Sequence, residues 1–114
     1  MKLGAIVVKL LSYTVTDGDT LRVNDIGIRL WGIDAPEMSE TGGSAAKRGL
    51  RQLTGRAQLT CNVKDTDRYG RIVAQCYLPD GRDVVCELIE AGHAEEWVKY
   101  SRGVYGRCTA QGTN

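Results

Sequence analysis

The sequence contains no phenylalanine, so any core has to be assembled from Val, Ile, Leu, Tyr and the two tryptophans. Only two prolines stand against 14 glycines, a balance that favours many turns and hence β structure. No apolar run is long enough to span a membrane. Residues 1–13, MKLGAIVVKLLSY, faintly resemble a leader, but Lys9 interrupts them and no small-x-small cleavage site follows. They read better as the approach to a first strand. Fifteen basic side chains against 14 acidic ones leave a net charge of +1, which excludes holding a polyanion by bulk charge. The four cysteines, Cys61, Cys76, Cys86 and Cys108, include no C-x-x-C pair, which argues against a structural zinc site. No linker, repeat or low-complexity segment appears. At 114 residues a second core would leave each half too small, so 1–114 is expected to be a single domain.

What is present suggests a small barrel. Ile6 to Thr16 is apolar and β-branched and reads as one strand, followed by a turn at Asp17-Gly18-Asp19. Leu21–Val23 and Ile28–Ile33 continue a meander through the tight connection Asn24–Gly27. Ser44 to Thr54 reads as a helix, with Ser44 as its cap, Ala46, Leu50 and Leu53 on one face, and Gly55 as its stop. Leu59–Val63 and Arg71–Leu78 are two more strands. A second helix is expected from an Asp83 cap to a stop at Gly92. The order β-β-β-α-β-β-α predicts a mainly β, α+β fold, a five-stranded barrel with two or three packed helices. Four cysteines allow three pairings. Cys61 with Cys76, on strands flanking one connection, leaves Cys86 with Cys108 to tie the last helix to the tail.

Charge is distributed unevenly along the chain. Lys47, Arg48, Arg51, Arg56, Lys64, Arg68 and Arg71 crowd the middle third, while Glu87, Glu90, Glu95 and Glu96 fall later. At the expected strand ends stand Asp17 and Asp19 around Gly18, Arg29, then Asp34 and Glu37 around Ala35-Pro36, and Arg71 after Asp67-Arg68-Tyr69-Gly70. Carboxylates and a carbonyl are what a hard cation such as Ca²⁺ binds, and arginine forks match phosphate oxygens two at a time. Together they suit hydrolysis of a phosphodiester. Arg29 and Asp34 are five residues apart, so an uninterrupted strand would place them on opposite faces. A bend at Gly32 to Ala35 is therefore predicted, turning Asp34 and the Ala35 carbonyl toward the Asp19 loop. His93, the lone histidine, reads as a helix-end residue, and Trp31 and Trp97 as core or rim packing, with base stacking as the alternative.

The strings Val15-Thr16-Asp17-Gly18-Asp19-Thr20, Arg29-Leu30-Trp31-Gly32-Ile33-Asp34-Ala35-Pro36-Glu37 and Asp67-Arg68-Tyr69-Gly70-Arg71, in this order, resemble the signature of the staphylococcal nuclease family. The resemblance, covering residues 6 to about 100, implies an OB-type barrel and Ca²⁺-dependent cleavage of DNA and RNA that leaves 3′-phosphate ends. It implies Asp19, Asp34 and the Ala35 carbonyl as metal ligands, with Asp17 orienting metal-bound water. Arg29 and Arg71 would grip the phosphate and Glu37 would activate or orient the attacking water. Arg68 and Tyr69 would contact nucleotide phosphates, and Tyr100 would lie near the base pocket. The stretch between Glu37 and the first helix is shorter than in the type member. The chain also leaves little room after Tyr100 for that member's long last helix, a role a Cys108 cross-link could take over. A monomer in a secreted or periplasmic setting is expected, with a cytoplasmic location as the alternative. The competing reading is a non-catalytic nucleic-acid- or peptide-binding module on the same barrel. A third is an inert disulfide-stapled domain.

Overall fold

The computed structural model describes residues 5–109; residues 1–4, part of the leader-like stretch, lie outside the described residues. Strands β1 (Ile6–Leu10), β2 (Thr14–Asp17), β3 (Thr20–Val23) and β4 (Ile26–Leu30) lead into the short β5 (Ile33–Asp34) and helix α1 (Gly43–Thr54). Then come β6 (Leu59–Thr66), β7 (Ile72–Tyr77), α2 (Val84–Glu90), β8 (Glu95–Glu96) and α3 (Val98–Ser101). Six strands form one sheet in the order β1-β6-β7-β4-β3-β2, and β5 pairs with β8 in a separate ribbon.

The expected first strand is in fact two. Its halves serve different partners, β1 pairing with β6 and β2 with β3. The chain turns between them, at Leu11-Ser12-Tyr13, where the Tyr13 hydroxyl donates to the Ala57 carbonyl at 2.6 Å. Both free edges of the sheet thus belong to consecutive strands joined by residues 11–13. So short a link reaches at most about 14 Å, so the sheet has to curl until its edges nearly meet. No ladder closes it among the described residues. The α+β class holds, and the five-stranded barrel becomes six strands in a curled, unclosed sheet.

The core is aliphatic, with Leu21, Leu30, Ile33, Leu50, Leu59, Val84, Val85 and Leu88 all buried. Its largest buried side chain is Tyr105, not a tryptophan. Trp31 is half-buried against Tyr105 and Trp97 is exposed, so both line a rim rather than fill the centre. The Tyr105 hydroxyl donates to Asp83 Oδ2 at 2.8 Å. Burial first, and the Asp83 carboxylate second, push that hydroxyl far above its ordinary range, so it remains a proton donor.

Asp83 caps α2 as expected, accepting from the Val85 and Cys86 amides, and Gly55 ends α1 with its N–H on the Arg51 carbonyl. Ser44 does not cap α1. The cap position is Gly42 with φ 90°, and no side chain accepts there. The reason is tertiary: Gly43 lies so close against the Glu37 carbonyl that a Cβ would collide with it. The start of α1 is set by this backbone contact. His93 sits at the end of α2, its N–H on the Leu88 carbonyl, with its ring filling the space that a side chain at Gly49 would need. Cys61 bonds to Cys76, its direct partner across β6 and β7, and Cys86 bonds to Cys108.

Candidate active site

The break predicted in the strand carrying Arg29 occurs at Trp31-Gly32. There Gly32 takes φ 85° and its carbonyl accepts from the Trp97 amide at 2.7 Å. Beyond it β5 pairs with β8 instead of continuing the main sheet. This redirection lets Arg29 reach back over the bend: Nη1 donates to the Leu30 carbonyl at 2.8 Å and Nη2 to the Ile33 carbonyl at 2.9 Å. The same Nη2 lies 3.5 Å from Asp19 Oδ2. The guanidinium is therefore fixed before any ligand arrives.

Asp19 ends the Asp17-Gly18-Asp19 turn, where the Asp19 amide donates to Asp17 Oδ1 at 3.1 Å and the Thr20 hydroxyl donates to Asp19 Oδ1 at 3.0 Å. Burial raises the Asp19 carboxyl from its ordinary 3.8 to about 6; Arg29 opposes the rise and the neighbouring Asp17 adds to it. A β-bulge between Val15 and Asp17 re-aims Asp17 at this turn. Gly18 is the close-approach point of the turn. A Cβ there would sit 3.0 Å from Ala35 Cβ and 2.7 Å from Ala46 Cβ, so the turn, the Ala35 segment and α1 pack together.

Arg71 arrives from the hairpin between β6 and β7. Asp67 organises that loop, its Oδ1 accepting from the Tyr69 and Arg71 amides, both at 2.9 Å, while its Oδ2 binds Arg71 Nε at 2.6 Å. Burial works against the Asp67 charge, but the Arg71 and Tyr69 hydrogen bonds prevail and hold its carboxyl below the ordinary value. The register of parallel β4 and β7 sets Arg71 beside Gly27, whose missing side chain leaves room for the Arg71 stem. A Cβ on Gly27 would meet Arg71 Cγ at 3.0 Å.

The two arginines open onto one cleft of about 630 Å³, which Arg68, Tyr69 and Tyr100 also line. The cleft thus gathers five of the residues singled out in the sequence from three separate stretches. It also holds groups that the sequence did not assign to the site. The Trp97 ring stands 5.8 Å from the Arg29 guanidinium and 4.5 Å from the Tyr100 ring, and Lys64 lies 4.9 Å over Trp31. Lys64 is the extra residue of a bulge between Val63 and Asp65, a placement that strand periodicity does not mark. Asp34 and Glu37 are exposed, and among the described residues neither carboxylate forms an ion pair. Asp17, Asp19, Asp34, Ala35 and Glu37 lie outside the cleft lining, with Asp19 joined to it through Arg29.

A family model described as staphylococcal nuclease homologue matches residues 27–110. The chain belongs to the staphylococcal nuclease family. Relatives at 37% identity over 91 residues include an uncharacterized endonuclease of Escherichia coli, the match covering 76% of this chain and 60% of that protein. A micrococcal nuclease of Shigella flexneri is 34% identical over 102 residues, 83% of this chain and 59% of that one. The succinoglycan biosynthesis protein ExoI of Rhizobium meliloti (strain 1021) is 33% identical over 103 residues, 81% and 54% respectively. The chain spans about three-fifths of the length of these relatives. The staphylococcal nuclease match begins at Gly27, so the turn bearing Asp17 and Asp19 precedes it. That turn is tied to the site by the Asp19–Arg29 pair.

Proposed function

We propose that this chain is a calcium-dependent nuclease that hydrolyses phosphodiester bonds of DNA and RNA with water and leaves 3′-phosphate ends. The observation that carries the reading is the convergence of Arg29 and Arg71 on one cleft, with Asp19 3.5 Å from Arg29. Two relatives are named uncharacterized endonuclease and micrococcal nuclease, which supports the same class.

The oxygen donors suit a hard cation. Asp19, Asp34 and the Ala35 carbonyl would hold Ca²⁺, with Asp17 orienting its water. Bound there, the ion would polarise the phosphoryl oxygen. Arg29 and Arg71 act as fixed donors where negative charge builds in the transition state. Glu37, free of any ion-pair partner among the described residues, would take a proton from the attacking water or orient it. Arg68 and Tyr69 steady neighbouring phosphates and Tyr100 flanks the base. The two disulfides favour an oxidising setting, secreted or periplasmic.

The test is cleavage of denatured DNA in calcium and in chelator, for wild type and for Glu37→Gln and Arg71→Ala. Each variant should lose at least ~10²-fold in rate. Wild-type cleavage that persists in chelator defeats the proposed chemistry.

A further inference from the structure

We infer that the exposed face of α1 is a track for the phosphate backbone of a strand extending beyond the cleft, with Arg48, Arg51 and Arg56 as its contacts. The inference deepens the nuclease reading and rests on it for the identity of the strand.

Residues 41–64 carry five basic side chains and no carboxylate, so the remainder of the chain is net negative. The helix turns this segment into a surface. Ala46, Gly49 and Leu50 are buried, while Ser44, Arg48, Arg51 and Gln52 are exposed along the opposite side and lead to exposed Arg56 just past the end of the helix. Ser44, Arg48 and Arg51 share one face at i, i+4 and i+7, so two of the three arginines lie on it and Arg56 follows past the helix end, with half-buried Lys47 beside them. Arg29, Arg71 and Arg82 all have carboxylate partners, but Lys47, Arg48, Arg51 and Arg56 have none among the described residues. The first turn of α1 also lacks an acid, although an acid there would stabilise the helix. The segment gives up that stabilisation and stays uniformly positive.

Position and character identify the occupant. The start of α1 packs on the acid half of the site: Gly43 lies against the Glu37 carbonyl, and Ala46 against Gly18 between Asp17 and Asp19. The first turn of the helix therefore lies next to the acid half, and the exposed arginines follow from Arg48 onward, toward its C-terminal end. From Arg48 to its end at Thr54 the helix extends ~10 Å, room for about three phosphates at the roughly 3.4 Å of axis that each takes in a duplex strand. A protein partner would want an apolar anchor at its centre, yet no large hydrophobic side chain is exposed anywhere between Met38 and Tyr69. Exposed cations without apolar surface fit a polyphosphate backbone.

The test measures binding of a labelled oligothymidylate, in chelator so that nothing is cleaved, across a salt series. Arg48→Gln, Arg51→Gln and Arg56→Gln, singly and combined, keep good helix formers at exposed sites, and melting curves confirm folding. The combined variant should bind on the order of tenfold more weakly, and its salt slope should fall by about 0.7 per lost contact, roughly two in all. A control pair of exposed cations on β1 and β3, Lys9→Gln with Arg22→Gln, should change neither value as much. The inference is overturned by an unchanged affinity and slope in the combined variant, by an equal loss in the control pair, or by polyglutamate competing as well as inorganic polyphosphate. A wild-type chain that binds through α1 but never cleaves in calcium keeps the track and sinks the nuclease reading. One that cleaves a short p-nitrophenyl nucleoside diester, yet binds oligothymidylate independently of α1, does the reverse.

Discussion

The two halves of the site are built differently. Arg29 and Arg71 arrive at the cleft already held, one by the Leu30 and Ile33 carbonyls and Asp19, the other by Asp67. Asp34 and Glu37 stand exposed with no cationic partner among the described residues. A guanidinium is always charged and needs acceptors to stay in place, and the bend at Trp31-Gly32 provides them from the backbone. Carboxylates would be tied down as firmly only by a cation. Under the proposed function the phosphate grip is thus folded into the chain, whereas the acid half is completed when the ion binds. Donors fixed in advance need no reorganisation during the reaction, so the arginine half should tolerate change least.

The largest effect should come from breaking that rigid half. Arg29→Lys keeps the charge but loses the fork that spans two carbonyls and still faces a phosphate, and kcat on denatured DNA should fall ~10²–10³-fold. Asp34→Asn should behave otherwise, its loss shrinking as calcium is raised, because it weakens ion binding and leaves the arginines in place. If Arg29→Lys stays within a few-fold of wild type, the fixed fork does not grip the phosphate and the contrast collapses.

The next effect concerns Asp19, where the halves meet. Its carboxyl is raised from 3.8 to about 6 in the folded chain, burial being the largest cause. Between those two values the folded protein binds a proton that the unfolded chain has released, so stability in chelator should fall as pH rises from about 4 to about 6. The loss attributable to this group is roughly 3 kcal/mol, and Asp19→Asn should flatten that part of the curve. Denaturant melts at fixed temperature measure it. A metal-free profile that rises through this range as steeply in wild type as in Asp19→Asn would mean that Asp19 is not the strained acid of the site.

How far these halves were legible in the sequence follows from their physics. Residues that act locally could be read directly: Asp83 as a cap, Gly55 as a stop, and the two cysteine pairings. The break after Leu30 was legible because a spacing of five between Arg29 and Asp34 contradicts strand alternation. The split of the first strand was not, since its apolar character runs on while its hydrogen-bond partners change. β5, β8 and α3 span only two to four residues, too short for any periodicity to register, and with them Trp97 went unrecognised as a neighbour of Arg29. Ser44 misled as a cap because the start of α1 depends on the distant Glu37 carbonyl.

The smallest expected effect is also the most discriminating, because its two consequences have opposite signs. Gly27 lies in β4 without positive φ, so alanine fits its backbone and, by restricting the unfolded chain, should add about 0.4–1 kcal/mol to stability. Its Cβ, however, would meet Arg71 Cγ at 3.0 Å, closer than the stem can accept without moving. The Arg71 stem is flexible and Asp67 still anchors Nε, so the guanidinium should shift rather than leave, costing a few-fold in kcat with little change in KM. Gly27→Ala is thus expected to melt slightly higher and cut more slowly. Equal activity would show that the placement of Arg71 depends on Asp67 alone, and that the empty strand position beneath its stem contributes nothing to the grip.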